Sequence, residues 1–184
     1  MKKVFLLMGS CLLLCSGCIF FQNSYREPQD CDLPPAKPLP VKGCSLKFDV
    51  LHNYSGGDRR IMMRQKNGTF RRNEYQRWVV DPELLIRRFF YEAMETEPAA
   101  LPLVRISGDL YRFEFIQEPM QARLLAGFML TCGKEKRMIR CDYTIPFDEK
   151  IYATPGDAMG DCLSRVCGDI RQAAEEMVRQ GELK

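Results

Sequence analysis

Cysteine is the residue type most able to do chemistry in this 184-residue sequence, which contains nine of them. Three fall within the first 18 residues, and the other six are spread along the chain: Cys31, Cys44, Cys132, Cys141, Cys162 and Cys167. Such a set can pair as disulfides, bind zinc, or remain as reduced thiols in a core. Zinc fits poorly, because no two of these six cysteines form a Cys-x-x-Cys and His52 is the sole histidine. Disulfides and buried thiols both stay open.

The other polar residues form no recognisable catalytic constellation. Asp81 and Glu83 are better explained as the start of a helix than as an acid–base pair, and His52 ends a predicted strand without a partner. Neither a glycine-rich phosphate loop nor a nucleophile elbow occurs. Basic residues occur as arginine pairs at 59/60, 71/72 and 87/88 and as a group at 134–137. They could bind phosphate or lipid headgroups, or simply be solvated surface charge. We therefore predict a protein that is not an enzyme, with no catalytic residue, metal site or cofactor.

The beginning of the chain resembles a bacterial lipoprotein signal. Lys2 and Lys3 precede an apolar run over residues 4–14 that is too short to span a bilayer, and Ser-Gly leads directly to Cys18. In that class of signal, cleavage occurs before the cysteine, which then carries lipid on its sulfur and its new amino terminus. The resemblance implies a signal peptide over 1–17 and lipid attachment at Cys18. An ordinary secretory signal or an uncleaved anchor is the alternative, since Cys15 stands where leucine is usual.

Two further points concern the exported chain: the state of its cysteines and its final location. It places the remaining cysteines in an oxidising compartment, where disulfides can form. The aspartate that commonly retains lipoproteins in the inner membrane is replaced by Ile19. The resemblance therefore favours a lipid-anchored protein on the periplasmic face of the outer membrane.

Residues 18–43 are predicted to be a lipidated cysteine followed by an extended tether. Five prolines between residues 28 and 40 exclude a helix or a central strand there. In polyproline form, residues 19–42 would reach at most ~75 Å. The remaining residues, 44–184, suffice for one domain with its own core.

Net charge limits the possible partners. Without Lys2 and Lys3, the mature chain has 25 basic and 24 acidic residues. Such a balance argues against a nucleic-acid binder, which normally shows a basic excess.

Alternation of apolar residues predicts the strands, and helical spacing predicts two helices. An Asn-Gly turn at 67–68 predicts a hairpin, and a change of phase predicts a bulge near Gly108. The predicted strands cover residues 45–51, 59–65, 70–78, 101–117, 121–131 and 139–147, and the predicted helices cover 82–95 and 155–180. These elements indicate an α+β fold, a two-layer sandwich in which two helices pack on one face of a mainly antiparallel sheet.

The first helix has a clear start signal. Asp81 is expected to cap it by accepting bonds from backbone N–H groups, and Pro82 fits its first position. Leu85 belongs to its apolar face. Trp78, the only tryptophan, lies just upstream and is expected to be core rather than ligand-binding.

This order of elements, with two local motifs, resembles the ABC-type transport auxiliary lipoproteins, which accompany MCE-type lipid transport systems, including the Pqi type. One motif is the strand Ile-Met-Met-Arg that ends at Arg64; the other is Arg-Trp followed by Asp-Pro-Glu-Leu-Leu. The resemblance covers about residues 44–180. The positions that carry it are Arg64, Arg77, Trp78, Asp81, Pro82 and Leu85.

The resemblance implies a non-enzymatic accessory lipoprotein that assembles with a periplasmic lipid tunnel. Its partners would be an MCE-domain protein, the membrane through the lipid anchor, and copies of itself, possibly in a ring, but no nucleic acid. The alternative is a cell-envelope scaffold that binds peptidoglycan or a protein. A hydrolase is a third possibility.

Overall fold

Nine strands and two helices make up the described chain, which is residues 26–96, 102–148 and 150–181 of a computed structural model. In chain order they are β1 Gln29–Cys31, β2 Leu39–Val41, β3 Ser45–Asn53, β4 Arg60–Arg64, β5 Phe70–Trp78, α1 Pro82–Ala93, β6 Met94–Thr96, β7 Leu103–Gln117, β8 Met120–Cys132, β9 Glu135–Pro146 and α2 Pro155–Gly181. The predicted signal peptide and Cys18 lie outside the described residues.

Seven strands form one sheet around the long strand β7. The order is β1-β5-β4-β7-β8-β9, and β3 also pairs with β7. The β4–β5 hairpin and the β7–β8–β9 meander are antiparallel, as predicted, whereas β3 and β4 run parallel to successive halves of β7. The sheet is therefore mixed but rich in antiparallel pairs, and the predicted α+β class is confirmed.

Both helices cover the same face of this sheet. The apolar stripe of α2 is fully buried, including Met159, Leu163 and Ile170, because its spacing keeps these side chains on one side of the helix. Helix α1 ends at Ala93, two residues before the predicted end. The next residues form β6, which pairs with β2, and this pairing replaces the last helical turn. None of the helices in the described ranges has the length and apolar composition that crossing a bilayer requires.

A bulge interrupts β7, but not at Gly108. The register with β8 shifts between Leu110 and Arg112, which leaves Tyr111 as the extra residue. Gly108 has another role: a Cβ there would lie 2.5 Å from Cδ1 of Phe128. Only glycine leaves room for that core ring, so the sequence prediction named the right strand and the wrong residue.

The proline-rich segment is not a free tether over its described part. Strand β1 pairs with β5, and β2 pairs with β6. Leu33, which lies between these two strands, and Val41, which ends β2, are buried. Asp30 accepts a hydrogen bond of 2.7 Å from Arg77, and Asp32 forms an ion pair with Arg88. The tether prediction is therefore wrong for residues 29–42, which we call the strap, and the folded unit begins before residue 44.

Proline is compatible with the strap because its strands are short. Each has three residues, and Pro40 sits in the two-stranded β2–β6 sheet rather than in a central position of the large one. A missing N–H removes little from such an edge. The contacts that the strap makes with α1, α2 and β5 therefore outweigh the tendency of a proline-rich segment to remain an extended, solvated tether.

Candidate functional site

The face of the sheet that carries no helix holds an open trough of about 590 Å³. Aromatic and apolar side chains line it together with two arginines, Arg112 and Arg140. The other contributors include Tyr54, Tyr111, Leu125, Gly127 and Met138. Met138 is 65% exposed, although methionine is usually buried. Aromatic residues, methionine and arginine are the types enriched at protein interfaces.

The β7 bulge builds this trough. Because Tyr111 is the extra residue, it and Arg112 both contribute to the same face of the sheet. The Tyr54 and Tyr111 rings stack, with 6.3 Å between their centroids. Gly127, on the neighbouring strand, leaves space beneath: a Cβ there would lie 3.6 Å from the Tyr111 ring. Local backbone geometry thus places an aromatic wall beside two cationic side chains.

The phenols of Tyr111 and Tyr143 are weaker acids than a free tyrosine. Burial and the Asp109 carboxylate raise the pKa of Tyr111 above its ordinary value. On β9, the hydrogen bond from Tyr143 to Asp169, 2.5 Å long, raises the pKa of Tyr143 to about 12. Both phenols therefore stay protonated at neutral pH. The trough offers ring faces, hydroxyl groups and guanidinium groups, which suit binding better than proton transfer.

Arg64, at the end of β4, and the trough residue Arg112 contact the same aromatic ring of the β4–β5 hairpin. Its guanidinium group makes two hydrogen bonds, of 2.9 and 3.1 Å, to Glu114, a carboxylate that is 2% exposed. The Phe70 ring covers that guanidinium, 4.2 Å from Cζ to the ring centroid, and Arg112 lies 5.7 Å from the same ring. A buried carboxylate needs such a partner, so Arg64 has a structural role.

The other motif residues form a framework instead of a ligand site. Trp78 is 1% exposed, and its ring lies 5.2 Å from that of Phe113. Leu85 is fully buried, Pro82 begins α1, and Arg77 binds the strap through Asp30. The structure therefore bears out the prediction that Trp78 is core. These residues fix the passage from β5 into α1 and do not converge on one cavity.

Asp81 does not cap α1 in the predicted way. It occupies the N-cap position with extended φ and ψ, but its carboxylate makes no capping hydrogen bond. Its backbone carbonyl accepts the N–H groups of Leu84 and Leu85 at 3.0 and 3.1 Å instead. Glu83 supplies the negative charge of the first turn, and Asn53 donates a hydrogen bond of 2.9 Å to it.

The six cysteines of the described ranges pack in or against the core. The thiols of Cys31, Cys132, Cys141, Cys162 and Cys167 are free, and Cys44 is fully buried. Burial is the largest cause that raises the pKa of the Cys141, Cys162 and Cys167 thiols to about 12, far from a reactive thiolate. Within the described ranges, no group of three metal-ligating side chains comes together, and His52 is exposed beside Tyr54.

Sequence reasoning missed the trough. It singled out neither Tyr54, Tyr111 nor Arg140. The one available signal was the phase change in β7, because a bulge on an uncovered sheet face turns adjacent side chains outward together.

Comparison with solved structures shows what the fold is similar to. Protein XCC0632 from Xanthomonas campestris, described with the family DUF330, superimposes with a TM-score of 0.55 at 15% identity, covering 86% of this chain and 98% of that one. An uncharacterized protein superimposes with a TM-score of 0.56 at 8% identity, covering 83% and 99%. At these identities the likeness shows the fold alone. No family model and no curated protein matches the chain.

Proposed function

We propose that this chain is a non-enzymatic lipoprotein accessory to an ABC/MCE-type intermembrane lipid transport system. A lipid on Cys18 holds it at the periplasmic face of the outer membrane. It acts by assembling with copies of itself, in a ring, and with the MCE-domain protein of the transport tunnel. Support comes from the lipoprotein-like signal, from the motifs around Arg64 and Trp78, and from a surface suited to assembly.

The observation that carries this proposal is the uncovered sheet face. Both helices pack on the opposite face, so the aromatic and arginine side chains of the trough stay open to a partner. Tyrosine and arginine are the residue types that dominate binding energy at interfaces. An open trough of protonated phenols and cations has the chemistry of a docking surface.

The edge of the sheet next to this trough supports self-association. Within the described residues, β9 pairs with β8 alone, so one side of a 12-residue strand is without a neighbouring strand. Unpaired N–H and C=O groups along such an edge favour pairing with another chain. If each copy offers its edge to a different surface of the next copy, the head-to-tail contact gives a ring when its rotation closes.

Substitution at Met138 tests the surface. The mature chain should be oligomeric at micromolar concentration by light scattering, and Met138→Glu should convert it to a monomer. Leu84→Glu provides the matched control, because Leu84 is also exposed, at 49%, but lies on α1. A wild-type monomer over that range, or equal effects of both substitutions, would contradict assembly through this face.

A binding assay separates the two candidate functions. The purified oligomer should bind the purified MCE-domain protein of the same organism, and Met138→Glu should weaken that binding. Retention on peptidoglycan sacculi, with no binding to the MCE-domain protein, would favour the envelope-scaffold alternative.

A further inference from the structure

The β4–β5 hairpin concentrates the positive charge of the chain. Residues 60–78 contain six basic residues and one acidic residue, Glu74. The mature chain has 25 basic and 24 acidic residues, so the rest of it has 19 basic against 23 acidic ones. Charge is thus separated within a nearly neutral protein. The turn-proximal part, residues 64–72, contains four cations and no carboxylate of its own. Arg64 and Arg72 form ion pairs with Glu114 and Asp58 from neighbouring segments, so the two cations that remain for an outside partner are Lys66 and Arg71.

These cations are accompanied by exposed aromatic rings. Lys66 and Arg71 are exposed, and Phe70 and Tyr75 are 45% and 50% exposed. The turn is well ordered: Gly68 has a φ of +81°, and its N–H donates to Gln65 O at 2.9 Å. Cations next to aromatic rings are typical of protein surfaces that contact membrane interfaces. The adjacent β7–β8 turn adds one carboxylate, Glu118.

The described residues that precede the strap run toward the hairpin turn. Strand β1 is parallel to β5, with Gln29 opposite Gln76, so residues 26–28, which precede it, lie on the side of the hairpin turn. In agreement, the Arg26 guanidinium lies 5.8 Å from the Tyr75 ring centroid. Gln76 lies eight residues after Gly68, which corresponds to about 27 Å along an extended strand. Cys18 precedes Arg26 by a stretch that spans at most ~28 Å.

We infer that the β4–β5 hairpin docks on the anionic headgroups of the membrane that holds the lipid anchor. This inference rests on the proposed lipidation of Cys18. Lys66 and Arg71 contact phosphate groups, and Phe70 enters the interfacial layer beside them. The strap limits how far the protein can stand from its membrane, since it leaves only residues 19–28 between Cys18 and the folded part instead of the 24 residues expected of a tether. The β8–β9 turn, at the other end of the sheet, faces away.

Vesicle binding tests the hairpin without the anchor. The mature-length chain with Cys18→Ser should cosediment with vesicles of phosphatidylglycerol and phosphatidylethanolamine, and should not with phosphatidylcholine vesicles. Lys66→Gln with Arg71→Gln should weaken binding roughly 25-fold, since each cation near an anionic surface contributes a factor of roughly five. The matched control is Lys134→Gln with Lys136→Gln, which removes the same charge from the exposed β8–β9 turn. Equal effects of the two pairs, or equal binding to both vesicle types, would overturn the inference.

The lipidated protein distinguishes a failure of docking from a failure of anchoring. Intact mass first establishes whether Cys18 carries acyl chains, which bears on the proposed function alone. In proteoliposomes, hydrogen exchange at residues 65–73 should then be slower with phosphatidylglycerol than with phosphatidylcholine, while exchange at 133–136 stays the same. Acylated protein whose hairpin exchanges equally in both lipids would refute docking and leave the anchor intact.

Discussion

Adding one methyl group at Gly160 should loosen the strap. A Cβ at that position would lie 2.5 Å from Cγ and 2.8 Å from Cδ of Pro34. Carbon atoms pack favourably at about 3.5–4.0 Å, and a proline ring cannot rotate away. Four residues earlier, a Cβ at Gly156 would meet the backbone carbonyl of Asp32. These two glycines are where the strap lies directly on α2.

The size of the effect follows from two opposing terms. Alanine in place of glycine stabilises a helix interior by about 1 kcal/mol, whereas overpacking costs about 1–3 kcal/mol. Gly168, on the same helix, has no atom within 4 Å of its would-be Cβ, so Gly168→Ala shows the first term alone. We therefore expect Gly160→Ala to be less stable than Gly168→Ala by about 1–3 kcal/mol.

Urea unfolding gives the stability, and limited trypsin digestion shows whether the strap is the part that moves. Lys42 ends the strap, and its N–H donates to Glu175 at 3.1 Å. Cleavage after Lys42 should be faster in Gly160→Ala than in wild type, and unchanged in Gly168→Ala. If the two variants were equally stable and equally resistant to trypsin, the strap would not be packed as described.

Three further predictions concern the core. Trp78→Ala should lower the free energy of unfolding by about 3–5 kcal/mol; a variant that unfolds like wild type but fails to bind its partner would make Trp78 a surface hot spot. Arg64→Met should cost about 3–5 kcal/mol, because it leaves Glu114 buried without its partner; adding Glu114→Gln should recover most of that loss, and no recovery would count against the buried pair. Stability measured by urea unfolding should fall as pH rises above about 9, because burial raises the pKa of three thiols from an ordinary 9.0 to about 12, so that only the unfolded thiols ionise there. The loss between about pH 8 and pH 10 should be about 1.4 kcal/mol per thiol, and alanine at one of them should reduce the slope; an unchanged slope would refute it. The three thiols are Cys141, Cys162 and Cys167.

Local patterns predicted the elements well. The strand expected at 70–78 is β5, Phe70–Trp78, and the helix expected at 155–180 is α2, Pro155–Gly181, whose buried side includes Met159 and Met177. Both signals depend on periodicity within one element, which a single sequence shows directly. The class of the fold followed from the order of these elements.

Long-range packing was harder to predict. The strap was expected to be free because proline is unfavourable in strands, yet three-residue strands at the margin of the structure tolerate it. Gly156 and Gly160, four residues apart on a helix, were the available sign that a backbone packs closely there. The parallel pairing of β3 and β4 with β7 joins segments far apart in sequence, and local periodicity carries no information about it.

The trough illustrates the same limit for function. Its aromatic wall depends on a bulge at Tyr111 and on a glycine of the next strand. Alternation alone located the bulge three residues too early, at Gly108. Residues of the motif, in contrast, were identified by sequence and proved to be framework, as Trp78 and Leu85 show.

The central claim, that the chain is a lipid-anchored accessory of an MCE-type transport system, is tested most directly by native mass spectrometry. The protein would be purified from its own membranes in detergent and measured with and without the purified MCE-domain protein of the same organism. The account predicts acylated subunits, a homo-oligomer of one defined size, and a larger complex that contains the MCE-domain protein and is lost in Met138→Glu. Unacylated monomers that form no complex with that protein would contradict it.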